Sequence, residues 1–198
     1  MTRSLIAIAL TLGLCCATHA QQPAAAVEAQ RDAYQQQRIE QGLQSGQLDT
    51  REAGRLEREQ QRIDSQQAHA LRSGGTLTPQ EQARINREQN QASRDIHRDK
   101  HNAATGNPNS ASSQRLQADA QRNANQQQRI ANGIGSGQLT NREAAHLERG
   151  EARIDRSEAN AASNGHVRAG EQTRIRSREN RQNDRIYDKK HDGKTRGD

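Results

Sequence analysis

The chain has almost no aromatic residues and, beyond its first twenty positions, no cysteine. Its 198 residues include two tyrosines and no tryptophan or phenylalanine, and its two cysteines are Cys15 and Cys16. The remaining chain therefore cannot use disulfides, thiol catalysis or thiolate metal ligands. With so few aromatic side chains, we expect its carboxylates to lie at surface helix positions, outside any pocket that would shift their pKa values. These absences predict a protein that is not an enzyme.

Long hydrophobic runs are also lacking. The single apolar run extends from Leu5 to Leu14, follows the positive charge of Arg3 and precedes the small-residue site Thr18-His19-Ala20. This arrangement is typical of an export signal. A membrane span needs about twenty apolar residues, so the run predicts no transmembrane anchor. We expect a signal peptide over residues 1–20 and a periplasmic or secreted protein.

A long internal duplication is the main feature that the chain does contain. Residues 31–64 return at 122–155, with 21 of 34 positions identical. A repeat of this length indicates a duplicated folding unit. Within each copy, large apolar residues recur seven positions apart, as in Leu56 with Ile63 and Leu147 with Ile154. That spacing predicts narrow helical seams resembling those of coiled coils.

We predict an all-α protein with two tandem helical bundles of about three helices each, joined by a flexible linker. The expected helices lie near 24–44, 50–72, 79–101, 114–134, 141–162 and 169–190. The expected domains are a signal peptide at 1–20, helical repeat 1 at 21–101, a linker at 102–113, helical repeat 2 at 114–190 and a disordered tail at 191–198. The linker is rich in Asn, Ser, Gly and Pro, so we expect the two copies to behave as separate units.

Each copy also contains two versions of the pattern Gly-x-Leu/Val-x-x-x-Glu. The glutamates are Glu52, Glu81, Glu143 and Glu171. The pattern has the spacing of the turn glycine, the apolar residue and the last ligand in an EF-hand calcium loop.

Two interpretations of these loops are open. The first EF-hand position, which needs an acid, holds Gln41, Ala70, Asn132 and Asn160, so calcium binding is disfavoured. The fourth loop, with Asn160, Asn164 and Glu171, is the nearest candidate for a divalent-cation site. Helix capping is favoured instead: in this interpretation the glutamate accepts a hydrogen bond from the backbone of the residue that caps its own helix.

The Gly-x-Leu loop is part of a longer pattern, Gln-x-x-Arg-Ile-x-x-Gly-x-x-Ser-Gly-x-Leu, followed by Glu. It resembles a group of exported bacterial helical-repeat proteins with degenerate EF-hand-like helix-loop-helix units. The resemblance extends over nearly all of the chain after the signal. It implies export and tandem helical units, but no reaction and no catalytic residue.

A histidine pair offers a second metal candidate. His97 and His101 lie four positions apart on a predicted helix, a spacing that can bring two imidazoles to one zinc, copper or nickel ion. Tyr187 takes the place of His97 in the second copy, and no third ligand is identifiable. A solvated helix face is therefore the favoured interpretation.

The last predicted helix carries an arginine face. Its members recur at helical spacing and are Arg174, Arg178, Arg181 and Arg185. Such a face can bind anions or polyanions by releasing counterions. It has no interleaved aromatic residues for base stacking, so the sequence argues against nucleic acid as a partner.

Taken together, the sequence favours a non-enzymatic, exported helical module with a structural or interaction role and no cofactor. Divalent-cation binding through the EF-hand-like loops and polyanion binding through the arginine face are the alternatives. The expected partner is a protein or an envelope component. Self-association is a further expectation, because thin seams often need a second chain to bury them.

Overall fold

Six helices make up the computed structural model, which describes residues 23–72 and 76–195. They are α1 (Ala24–Ser45), α2 (Thr50–Arg72), α3 (Pro79–Lys100), α4 (Ala111–Gly135), α5 (Asn141–Ala162) and α6 (Ala169–His191). No strand occurs in these residues, which confirms the all-α class and three helices per copy. None of these six helices is long and apolar enough to cross a membrane. The predicted signal peptide, and residues 196–198 of the predicted tail, lie outside the described residues.

Local sequence explains where these helices begin. Thr140 Oγ1 accepts a hydrogen bond from the Glu143 backbone N–H, and the Thr140 N–H donates to the Glu143 carboxylate. Thr78 and Glu81 form the same capping box at α3. At α2 the reciprocal pair is an aspartate, Asp49, with Glu52. Capping boxes satisfy backbone donors that have no partner within the helix. The glutamates of the repeated loop therefore act in helix capping.

The two copies of the repeat pack against each other through their first and second helices. α1 runs antiparallel to α4. α2 runs antiparallel to α5: Gly54 near the start of α2 contacts Ala162 at the end of α5. α3 lies against α1 and α2, and α6 lies in the equivalent place against α4 and α5. This arrangement differs from the expected pair of separate units.

The composition of the core explains why the copies pack together. One apolar cluster combines Ile39 and Leu56 of the first copy with Leu116 and Ile175 of the second. A second cluster combines residues of the second copy with Leu71 and alanines of the first. A third and smaller cluster, of Ile63, Ala70, Ile85 and Ala92, lies within the first copy. The two larger apolar clusters of the described residues are therefore shared between the copies.

The connection between the copies is also held in place. The Gly106 N–H donates to the Gly46 carbonyl at 2.8 Å, and Asn102 Nδ2 donates to Glu52 Oε1 at 2.7 Å. A Cβ at Gly106 would lie 2.2 Å from the Leu48 carbonyl oxygen. α4 begins at Ala111, three residues before the predicted boundary. The connection is thus anchored to the turn between α1 and α2.

Two glycine substitutions test the close approach of α2 and α5. A Cβ at Gly54 would lie 2.6 Å from the Ala162 Cβ, so Gly54→Ala should force the helices apart and lower the free energy of unfolding by about 1–3 kcal/mol. Gly170→Ala, also in a helix but with no atom within 4 Å of its added Cβ, should be neutral or stabilising by up to about 1 kcal/mol. Urea denaturation followed by circular dichroism measures both. Equal shifts in the two variants would contradict the interlocked packing.

Candidate metal centre

The interior of this bundle contains many charged groups, and every one of them is acidic. The buried carboxylates are Glu28, Asp32, Glu52, Glu57, Asp64, Asp95, Asp99, Asp119, Glu143, Glu148, Glu151, Asp155, Glu158 and Glu179. In the described part of the chain, no arginine or lysine is buried. The expectation that the carboxylates lie at surface positions is therefore wrong. The residues of the predicted apolar seams are buried, and acidic and amide side chains make up the rest of the buried helix faces.

Five of these carboxylates converge where the two copies meet. Glu57 comes from α2, Asp119 from α4, Asp155 and Glu158 from α5, and Glu179 from α6. Oxygens of Glu57, Asp155 and Glu158 lie within 4.8 Å of one another, and so do oxygens of Asp119, Glu158 and Glu179. All five side chains are at most 2% exposed. We refer to these five residues as the carboxylate centre.

Amide side chains surround the centre and donate to it. Asn123 Nδ2 contacts both oxygens of Glu158, at 3.1 and 2.9 Å, and Asp155 Oδ1 at 3.3 Å. Gln36 donates to Glu57 at 2.9 Å, and Gln172 donates to Asp119 at 2.6 Å. The amides thus hold one edge of the centre and fix the orientation of its carboxylates.

Several oxygens at the centre have no N–H or O–H donor among the described residues. They are Asp119 Oδ2, Asn123 Oδ1, Asp155 Oδ2 and Glu179 Oε1. Each belongs to a side chain that is at most 1% exposed. Two carboxyl pairs, Asp119 with Glu179 and Asp64 with Asp155, can bond to each other only by sharing a proton. An unpaired buried acceptor costs about 1–3 kcal/mol, and more when it is charged. The centre therefore presents buried oxygens that a cation or bound protons would satisfy.

Burial shifts the acid–base behaviour of the centre. Desolvation raises the pKa of Glu57 to about 7, that of Glu179 to about 8 and that of Asp119 to about 6. For Asp155 and Glu158, desolvation and then neighbouring carboxylates raise the pKa well above its ordinary value. Without a cation, the cluster is thus most stable with protons on some of its members.

The first copy has an equivalent layer in which amides replace two of the acids. Gln67 and Gln89 stand where the second copy has Glu158 and Glu179. Both glutamines donate to Asp32, which occupies the position of Asn123. Within the described residues, no group of three carboxylates forms in that layer. The two copies therefore share a backbone plan, but only the second completes a set of converging acids.

A route from solvent reaches the centre between α4 and α6. A pocket of about 180 Å³ opens there and is lined by Arg122, Asn125, Gln126, Arg129, Glu179, Asn180 and Asn183. Arg122 donates to Glu179 Oε2 at 3.0 Å and contacts Asp119 Oδ1 at 3.4 Å. The side chain of Arg122 is 32% exposed. Glu179 is the member of the centre that lines this pocket, and Arg122 covers it.

The EF-hand-like loops contribute nothing to this centre. In the fourth loop, Glu171 accepts from the Arg168 backbone N–H at 2.8 Å, as a helix cap does. Asn164 Oδ1 accepts from the His166 N–H, and Asn160 contributes its backbone carbonyl to Ser163. The side chains of Glu171 and Asn164 and the backbone of Asn160 thus serve local turns and caps. The metal candidate predicted from the loop spacing gains no support from this geometry.

The histidine pair lies on the surface. The rings of His97 and His101 stack with centroids 4.2 Å apart, and His101 Nδ1 lies 2.6 Å from the His97 carbonyl. Tyr187 and His191 stack in the same way at 4.3 Å. In the part of the chain that the structure describes, no third metal-ligating side chain joins either pair. The stacking is thus a repeated feature of the helix ends.

The arginine face of α6 extends onto α5. In the first copy, Arg62 lines one groove together with the acids Glu59, Glu88 and Asp95. The second copy has Arg153 at the position of Arg62 and glycine at that of Glu59. It has Arg178 and Arg185 at the positions of Glu88 and Asp95. We call Arg153, Arg174, Arg178, Arg181 and Arg185 the arginine surface. All five are exposed, and none forms an ion pair with a described carboxylate.

Comparison of the chain with protein-family models, with curated proteins and with solved structures finds no significant match. The function therefore has to be inferred from the geometry of these sites.

The carboxylate centre could have been found partly from sequence. Glu57 directly follows the seam residue Leu56, and Asp64 follows Ile63, and both acids return unchanged at Glu148 and Asp155. Acids that repeat with the same seven-residue period as the seam lie beside it on the helix. The convergence of Asp119 and Glu179 with them has no such local signal, since it depends on packing between four helices.

The raised pKa values predict that alkali destabilises the metal-free chain. Because the folded-state values of Glu57 and Glu179 lie above the ordinary 4.5, the folded chain holds protons that the unfolded chain loses between about pH 4.5 and 8. The free energy of unfolding should therefore fall between pH 5 and pH 8, by at least about 3 kcal/mol, or roughly 6–12 °C in Tm. Thermal and urea unfolding with EDTA present measure this. Equal or greater stability at pH 8 would contradict the buried ionisable cluster.

Proposed function

We propose that this protein binds divalent cations inside its helical bundle, at the carboxylate centre. The observation that carries the proposal is the convergence of five buried carboxylates, with several buried oxygens that lack an N–H or O–H donor among the described residues. Burial of isolated carboxylates is costly, and a coordinated cation removes that cost. The converging ligand candidates include no histidine. We infer a non-enzymatic, exported cation-binding module.

The donor set indicates which cations fit. Every ligand candidate is a carboxylate or amide oxygen, from Glu57, Asp119, Asp155, Glu158, Glu179 and Asn123. Oxygen ligands favour hard cations such as Ca²⁺, Mg²⁺ and Mn²⁺, whereas zinc and copper sites usually include imidazole or thiolate ligands. We therefore expect hard divalent cations to bind more tightly than the soft Cu(I).

A matched pair of variants tests this proposal. Glu57 and Glu148 are equivalent residues of the two copies, are both buried, and each accept a hydrogen bond from an equivalent glutamine. Only Glu57 belongs to the carboxylate centre. Glu57→Gln should weaken Mn²⁺ binding at least about tenfold, whereas Glu148→Gln should change the dissociation constant by less than about twofold. Calorimetric titration of the purified chain measures both.

Two results would contradict the proposal. The first is the absence of Mn²⁺, Ca²⁺ and Mg²⁺ binding to the parent chain at millimolar concentrations at pH 7.5. The second is an equal loss of Mn²⁺ affinity in the two variants, because that result would place the ion outside the centre.

A second candidate function is polyanion binding by the arginine surface. The observation that favours it is the separation of charge in the fold: the acids of α5 are buried, whereas Arg153 and Arg156 of the same helix are exposed. The formal net charge of +6 therefore understates the positive charge that the surface presents. Exposed arginines without ion-pair partners bind anionic polymers through counterion release.

Charge reversal tests this second function with heparin as the probe. Arg178→Glu with Arg181→Glu should lower the salt concentration at which the chain elutes from a heparin column, and should flatten the salt dependence of binding by about one unit per lost contact. The control is the same change at Arg87 and Arg94, two exposed arginines of α3. A loss of equal size in the control would show that net charge alone accounts for retention.

A further inference from the structure

We infer that the carboxylate centre holds two divalent cations, bridged by the carboxylate of Glu158. This inference rests on the proposed cation-binding function and specifies its stoichiometry and geometry. The centre would then be a dinuclear site formed at the contact between the two copies of the repeat.

The geometry of the oxygens supports two ions. The five carboxylates form two sets of three, Glu57 with Asp155 and Asp119 with Glu179, and Glu158 is the third member of each. Within each set the ligand oxygens lie within 4.8 Å of one another, close enough to surround one ion. A carboxylate has two oxygens and can contribute one to each ion. Metal pairs in such sites lie about 3.5–4 Å apart.

Charge balance also supports two ions. Five ionised carboxylates carry five negative charges, and Arg122 is the one cation that forms an ion pair with any of them among the described residues. The ion pairs of Arg122 involve only Asp119 and Glu179. Four negative charges then remain, which two divalent cations neutralise. With a single divalent cation, two of the carboxyls would instead have to keep their protons to avoid uncompensated buried charge.

A buried amide side chain lies against the same carboxylates. Asn123 is 1% exposed, its side chain is directed at Asp155 and Glu158, and its Oδ1 has no partner among the described residues. In the first copy the equivalent position is Asp32, and both of its oxygens accept from Gln67 and Gln89. The first copy therefore completes this layer with its own amides. The second copy has acids where those amides stand and leaves an oxygen acceptor free beside them.

Mn²⁺ binding to the full chain tests the bridged pair, because Mn²⁺ is a hard cation with a paramagnetic signal. We expect two Mn²⁺ per chain and an electron paramagnetic resonance spectrum of exchange-coupled ions, without the six-line pattern of an isolated ion. Glu158→Gln should reduce the stoichiometry from two to one or less and abolish the coupling. This substitution places at 158 the residue that the first copy has at 67, so the fold has a precedent for it.

Glu151→Gln is the matched control, since Glu151 is buried on the same helix and lies outside both sets of three. It should retain two coupled ions. A parent chain that binds one Mn²⁺ with a six-line spectrum, or two ions without coupling, would overturn the bridged pair and leave the proposed function intact. A parent chain that binds no Mn²⁺ would overturn the bridged pair, and one that also binds no Ca²⁺ or Mg²⁺ would overturn both. Loss of coupling in Glu151→Gln, with the helical circular dichroism retained, would show that Glu158 is not the specific bridge.

Discussion

The contact between α2 and α5 is the interaction on which the rest of the structure depends. At one end of this contact a glycine, Gly54, lets the helices approach closely against Ala162. Between the ends, the facing positions are acids and amides, including Glu57 on α2 and Asp155 and Glu158 on α5. Close packing excludes water from these groups, and the low dielectric then makes each unpaired charge costly. The buried carboxylates of the fold therefore need bound protons, amide donors or cations as partners.

The positions of the helices could be predicted from sequence because their signals are local. Glycine at 46 and 137 and the capping glutamates define the helix ends, and the predicted bounds agree with the structure within three residues. The interlocking of the two copies could not be predicted in this way. The interlocking arises from contacts between residues that are far apart in the chain. The seam pattern does not specify which helix packs against a given seam. The polar linker therefore predicts separate units, whereas the two copies share the two larger apolar clusters.

The candidate site shows the same limit. The pattern that resembles an EF-hand lies in loops, and its glutamates cap helices. The converging acids lie instead in helix interiors, where a polar residue normally indicates a solvated face. Their position next to seam leucines and isoleucines is visible in the sequence, but their burial depends on how closely small residues allow the helices to pack. The four-helix convergence at Glu158 is a property of the tertiary structure alone.

Duplication followed by divergence gives the two copies different chemistry on one plan. Inside the bundle, Gln67 and Gln89 of the first copy correspond to Glu158 and Glu179 of the second. In the groove beside α2, the acids Glu88 and Asp95 of α3 correspond to Arg178 and Arg185 of α6. The second copy thus combines an acidic interior with a basic exterior. These are the positions at which we place cation binding and, as a second candidate, polyanion binding.

Anomalous X-ray diffraction from crystals grown with Mn²⁺ tests the central claim most directly, because it locates the ions within the fold. The account predicts strong anomalous peaks between Glu57, Asp119, Asp155, Glu158 and Glu179, at the contact of the two copies. Peaks confined to surface carboxylates, or a centre whose carboxylates bond to one another without an ion at saturating Mn²⁺, would contradict it.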